Sequence, residues 1–170
     1  MFFILCRDNY RYRRHIVVII TDMLVIAHNI RSLHNVGAIF RSAAAFGVEK
    51  LFLTGYSPTP PRKEIAKVAL GAERLIPWEQ GDILLVIEQC KKAGYTVLAL
   101  EQTPGAKFLS AVSGEKIALI LGNEVTGIEP EVLAVCDSSV VIPMHAKRSL
   151  NVSVAAGVAM YALRMPKMDQ

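Results

Sequence analysis

From Met23 onward, short uninterrupted apolar runs alternate with longer stretches whose apolar residues recur every three or four positions. The runs Leu24–Ala27, Leu51–Leu53, Thr96–Leu100, Ile117–Leu121 and Val140–Ile142 predict short strands, most of them buried on both faces. Between them, the segments Asn35–Phe46, Arg62–Leu70, Asp82–Ala93, Pro130–Cys136 and Asn151–Leu163 predict helices. Gly71 and Gly94 stop two of these helices, while Pro58, Pro60, Pro61 and the segment Glu101–Gly105 mark loops. Strands separated by helices predict an α/β fold, a parallel sheet with helices on both faces. No repeat or linker interrupts it, so residues 23–170 are expected to form a single domain.

Ligands of open parallel sheets bind beyond the carboxyl ends of strands. Three predicted strand ends run into loops rich in Gly, Pro and polar residues: Leu100–Gly105, Gly122–Gly127 and Pro143–Ser149. One shared pocket is expected there.

The last helix changes the picture in another way. Asn151 to Leu163 carries no charge, and Ala155, Ala156, Gly157 and Ala159 are small. A helix apolar all round is buried on more than one side. The sheet covers one side, and a second copy of the chain is the simplest cover for the other.

Composition then narrows the class. Apolar residues make up 52% of the 170 residues and charged residues 20%, which excludes intrinsic disorder. The formal charge of +4 permits an anionic partner without requiring one. Half of it lies in residues 1–22, where Arg7, Arg11, Arg13 and Arg14 stand against Asp8 and Asp22. That segment reads as an N-terminal extension. It is either a basic arm that touches RNA or a leader upstream of a translation start at Met23. Its apolar stretch is too short for a membrane span and holds an acid in its middle, and the order of charges does not fit a signal peptide. Three scattered cysteines, Cys6, Cys90 and Cys136, fit a reducing cytoplasm. His15, His28, His34 and His145 have no metal-ligand spacing, so no metal is expected. The G-x-G-x-x-G, Walker-type and G-x-S-x-G motifs are absent.

Three constellations can carry chemistry. In the first, Asn29–Arg41, Asn35 is suited to cap a helix, and Val36, Ile39, Phe40, Ala43 and Phe46 gather on one face of it. Arg41 is then expected on the other face near the amino end, where it could grip a phosphate together with the helix terminus. A solvated surface arginine is the alternative. The second is Leu121–Gly127. Gly122 and Gly127 permit close backbone approach, and Glu124 sets a carboxylate at the strand exit, unless that acid merely caps a helix. The third is Ile142–Ser153, which leads into the uncharged helix.

Together and in this order, the three segments resemble the SpoU (TrmH-like) family of RNA ribose 2′-O-methyltransferases, in the SPOUT superfamily. N-x-G-x-x-x-R-x-x-x-x-F-G at Asn35–Gly47 is similar to its first motif, LGNEVTGI at Leu121–Ile128 to the second, and IPM-x-x-x-x-SLNVSVA at Ile142–Ala155 to the third. Ala66–Ala72 also matches a linking segment of the family.

The resemblance implies a carboxyl-terminal deep trefoil knot, which connection rules alone would never suggest. It implies S-adenosylmethionine as cofactor, with S-adenosylhomocysteine as product, held near Leu100, Gly122, Ile142, Met144, Ser149 and Leu150. It implies a homodimer in which Arg41 acts catalytically with Asn35, Glu124, Ser149 and Asn151 as motif partners. The substrate it implies is RNA, tRNA more often than ribosomal RNA. Arg31, Arg41, Lys147 and Arg148 are the expected RNA contacts, and the loops Tyr56–Lys63 and His145–Arg148 are further candidates for phosphate. Two other classes fit the same residues: a catalytically silent RNA-binding or assembly factor on this scaffold, and a base methyltransferase of the superfamily.

Overall fold

The apolar runs assemble into one sheet. The computed structural model describes residues 22–112, 114–146 and 149–164. Its strands are β1 (Asp22–His28), β2 (Lys50–Thr54), β3 (Trp78–Gly81), β4 (Thr96–Leu100), β5 (Lys107–Phe108), β6 (Lys116–Leu121) and β7 (Ser138–Val141). Their order is β3-β2-β1-β6-β4-β7-β5, with every pairing parallel. The helices are α1 (Leu33–Ala45), α2 (Lys63–Ala69), α3 (Ala72–Leu75), α4 (Ile83–Lys92), α5 (Pro130–Ala134) and α6 (Val152–Arg164).

Successive strand residues point to opposite faces, and the core divides accordingly. Met23, Val25, Ala27, Leu51, Leu53, Ile117, Leu119 and Leu121 pack with α1, α2 and α6 on one face. Ile26, Phe52, Val97, Ala99, Ala118 and Ile120 pack with α4 and α5 on the other. The expected α/β arrangement, helices on both faces of a parallel sheet, is what forms.

The differences from expectation have local causes. β3 and β5 escape the apolar pattern because they are edge strands, and Trp78-Glu-Gln-Gly81 and Lys107-Phe108 are largely exposed. β7 lies two residues earlier than Val140–Ile142, since Ser138 and Ser139 pair with Leu98 and Ala99 despite their polarity. α1 starts at Leu33, and Ser32, not Asn35, is its cap: the Ser32 hydroxyl accepts from the Asn35 N–H at 3.3 Å. Arg41 therefore stands eight residues into the helix, about 12 Å from its first residue at 1.5 Å per residue. The idea that it works with the helix terminus is wrong.

α2 lies tightly on α1 because Gly37 has no side chain. A Cβ there would come within 2.6 Å of the Ile65 carbonyl oxygen and 3.0 Å of Val68 Cβ. α6 packs Ala156, Ala159, Met160 and Leu163 inward and leaves an apolar stripe of Val154, Val158 and Tyr161 exposed. Gly157 meets Ser42 of α1, where a Cβ would stand 3.4 Å from the hydroxyl. No described helix is long and apolar enough to cross a membrane. The N-terminal extension, apart from Asp22, lies outside the described residues, as do Lys147 and Arg148.

Candidate functional site

The carboxyl ends of β4, β6 and β7 open into one cavity of about 250 Å³. The three loops expected to share a pocket do share it. Leu100, Gly122, Ile142, Met144, Ser149 and Leu150 all line it, and so does Glu124. A second hollow of about 730 Å³, bordered by Phe108 and His145, shares Gln102, Val141, Ile142 and Met144 with it. Asn35 and Arg41 line neither hollow.

Glycine makes the loop after β6 possible. A Cβ on Gly122 would meet Ile128 Cγ1 at 2.5 Å and the Gly127 carbonyl carbon at 2.7 Å. The close approach at Gly122 is therefore to its own loop, which folds back so that Asn123 and Gly127 exchange backbone hydrogen bonds at 3.0 and 3.1 Å. Asn123 holds the tip as well, its Oδ1 accepting from the N–H groups of Val125 (2.8 Å) and Thr126 (2.9 Å).

Glu124 is fully engaged. Its carboxylate accepts from the Arg31 N–H (2.9 Å), the Ser32 N–H (3.2 Å) and Asn35 Nδ2 (2.8 Å). Partial burial pushes its pKa up, but these hydrogen bonds outweigh that and hold the carboxyl below its usual range. The acid does not cap a helix: the amides it accepts from precede α1, and it pins the segment leading into that helix. Asn35 passes the connection on, because its Oδ1 accepts from Asn151 Nδ2 at 3.1 Å. Asn151 in turn caps α6, its Oδ1 accepting from the Ser153 N–H (2.9 Å) and hydroxyl (2.6 Å). A Glu124–Asn35–Asn151 relay thus joins the β6 loop to the starts of α1 and α6.

Ser149 lines the cavity at its exposed edge, and the described hydrogen bonds do not engage it. Arg41 is exposed and pairs with no described carboxylate. It sits beside Ser42, hence beside the seam between α1 and α6. Arg31 is exposed at the entry to α1. Among the described residues, no group of three or more His, Cys, Asp or Glu side chains could hold a metal ion.

Two residues at this rim have no counterpart among the expected site residues. Glu101 also lines the cavity; its carboxylate accepts from the Gln102 N–H and, across the gap, from the Ile128 N–H, each at 3.0 Å. Asn123 spans from the cavity to β1, Nδ2 donating to the Asn29 carbonyl at 2.8 Å. An acid directly after an apolar strand was the available signal for Glu101, the same signal that marked Glu124.

A parallel α/β fold with a cavity at its strand ends, walled by the second and third motif segments, is a ligand-binding scaffold. The model of the SpoU rRNA Methylase family matches residues 22–161, and the chain belongs to that family. Among similar proteins is a tRNA (guanosine(18)-2′-O)-methyltransferase of Aquifex aeolicus, 31% identical over 88% of this chain and 72% of that protein. Another is the 23S rRNA (guanosine-2′-O-)-methyltransferase RlmB of Acinetobacter baylyi, 33% identical over 82% of this chain but only 58% of that protein. The AdoMet-bound rRNA methyltransferase from Sinorhizobium meliloti superposes with a TM-score of 0.80 at 25% identity, covering 84% of this chain and 56% of that one. The chain thus spans between about half and three-quarters of these relatives' lengths.

Proposed function

We propose that this chain transfers a methyl group from S-adenosylmethionine to a ribose 2′-hydroxyl of RNA, tRNA before ribosomal RNA, and that residues 23–170 are the methyltransferase domain. The observation that carries the reading is the cavity itself: all six positions that the motifs associate with the cofactor line one hollow. The chemistry of the lining fits. Leu100, Leu121, Val140, Ile142, Met144 and Leu150 offer an apolar bed for a purine ring. Glu101 and Glu124 are the charged residues lining it, and its described lining holds no Lys, Arg or His, which suits a ligand carrying positive charge. Bound there, S-adenosylmethionine supplies an electrophilic methyl group.

The remaining work falls to the chain. A ribose hydroxyl must lose its proton as its oxygen becomes a nucleophile. Arginine, with a pKa above ~12, holds its own proton too tightly to take another's. Arg41 acts instead as a clamp on the adjacent phosphate, whose oxygen accepts the proton. Alignment and charge compensation then supply most of the rate.

Arg41 stands outside the cavity of its own chain, so it serves the cavity of a second copy. The exposed Val154–Val158–Tyr161 stripe of α6, next to the α1 seam, supports a homodimer built on that face. A trefoil knot at the carboxyl end is part of the same reading. It is supported by the insertion of β7 between β4 and β5 and by the packing of α6 on the turn at 109–111. Arg31, Lys147 and Arg148 contact the RNA backbone.

The test is direct. Incubate the full chain with unmodified tRNA and S-adenosylmethionine, digest to nucleosides and separate them by mass spectrometry. A 2′-O-methylnucleoside is expected. Methyl found on a base would make it a base methyltransferase, and cofactor binding without transfer to either tRNA or unmodified ribosomal RNA would make it a silent RNA-binding factor.

A further inference from the structure

Asn123, which lines the cavity, holds on its far side an aromatic residue that methyl transfer does not use. Tyr56 follows β2, and 61% of it is exposed. An exposed tyrosine in a loop ordinarily moves, but this one is held at both ends. Its N–H donates to Asn29 Oδ1 at 3.1 Å, and Asn123 Nδ2 donates to its phenol oxygen at 2.6 Å. Ser57, the next residue, is buried, its hydroxyl donating to the Ala27 carbonyl (2.8 Å) and accepting from the Ile30 N–H (2.9 Å). Asn29 is itself tied down, donating to Glu129 Oε1 at 2.7 Å. The ring is thus presented to solvent in a fixed pose, which removes the ordering cost of binding something flat against it.

Its position matters as much as its rigidity. Asn123, which grips the phenol, lines the cavity, and the next residue, Glu124, grips the Arg31 N–H. Arg31 therefore stands on the same loop clip as Tyr56. Arg62 and Lys63 close the Tyr56 loop at the start of α2, which Gly37 lets lie against α1. All three cations are exposed, and none pairs with a described carboxylate. They are not alone in this: Arg41, Lys67 and Lys107 are also exposed without a described acid, whereas Lys50, Arg74, Lys91 and Lys92 are each paired with one. A fixed aromatic ring on a loop that also carries unpaired cations is a combination by which proteins hold unstacked bases and their phosphates.

We infer that the exposed face of Tyr56 is a stacking platform for an unpaired nucleobase of the RNA, with Arg31, Arg62 and Lys63 taking the flanking phosphates. This deepens the reading of the chain as an RNA methyltransferase and rests on it. Stacking reads the π-face that every base shares, so the platform orients the strand without selecting a sequence.

The test uses the full chain and two labelled RNA dodecamers of equal charge, oligoadenylate and its fully abasic counterpart, with binding followed by fluorescence anisotropy. Wild type is expected to bind oligoadenylate about 5- to 150-fold more tightly than the abasic strand. Tyr56→Phe keeps the ring and most of that preference. Tyr56→Leu loses the preference, while its affinity for the abasic strand, the salt dependence of that affinity and S-adenosylmethionine binding by calorimetry stay at wild-type values. A purely structural role for Tyr56 would move the last three together. If wild type binds both strands alike or neither, or if Tyr56→Leu retains the preference, the platform is overturned. Ribose methylation by a chain with no such preference overturns the platform and leaves the activity standing. A preference without ribose methylation does the reverse.

Discussion

Asn35 and Arg41 stand six residues apart on α1, in surroundings that have little in common. Asn35 is locked: it donates to Glu124, accepts from Asn151, and its N–H is capped by Ser32. Arg41 is exposed, with no described acid paired to it. Residues of both kinds belong to the same sequence motif, yet the start of the helix is tied to two other segments, while Arg41 further along it is bonded to none of the described acids. The locked end shapes the cavity loop. Arg41, eight residues into the helix, is an exposed cation.

The largest effect expected from breaking this contrast is at Arg41. Arg41→Ala should lower methyl transfer by about 10²- to 10³-fold, the usual loss for a transition-state donor, with S-adenosylmethionine affinity unchanged by calorimetry. Arg41→Lys should remain far below wild type, since one ammonium cannot clamp a phosphate in two places; full activity in that variant would rule out the clamp.

At the locked end, Gly122→Ala drives a methyl group into Ile128 and the Gly127 backbone. Overpacking of this kind costs about 1–3 kcal/mol, so the urea midpoint should fall and cofactor affinity should fall with it. A variant that kept both would show that the loop is free to open.

The smallest effect is at Glu124. Its carboxyl is held below the usual range in the folded chain, so its stabilisation is present above the unfolded pKa near ~4.3 and is lost as pH falls through the folded value. Glu124→Gln should flatten that part of the acid limb of stability, by less than about 1 kcal/mol because the group is exposed. Equal slopes for both proteins between pH 5 and pH 3 would contradict the hydrogen-bonded relay.

The sequence disclosed these two ends unequally. β1, β2, β4 and β6 were legible because burial on both faces leaves their centres almost wholly apolar, whereas β7 was displaced because it begins with two serines. β3 and β5 were not, because an edge strand takes its geometry from its neighbour rather than from its own side chains. The cavity was legible from Gly, Pro and acid residues after three strands. Which partners would satisfy Glu124 was not, since Arg31 and Ser32 lie some ninety positions away and contribute only backbone amides. Ser32 could have been recognised as the cap of α1 from its own chemistry, but the asparagine three residues later offered the same chemistry. Tyr56 carried no periodic signal at all. Its role depends on Asn123 arriving from another strand.

The central claim is that the free arginine of one chain completes the cavity of another. Mixing subunits tests it. Arg41→Ala retains a working cavity, and Ser149→Trp fills the cavity at its exposed edge while keeping Arg41. Each variant alone should be inactive. Unfolded and refolded together in equal amounts, they should recover about a quarter of wild-type methyl transfer, because half the dimers are mixed and each mixed dimer has one intact composite site. No recovery, with mixed dimers shown to form by native mass spectrometry, would mean that Arg41 serves its own chain and would contradict the account.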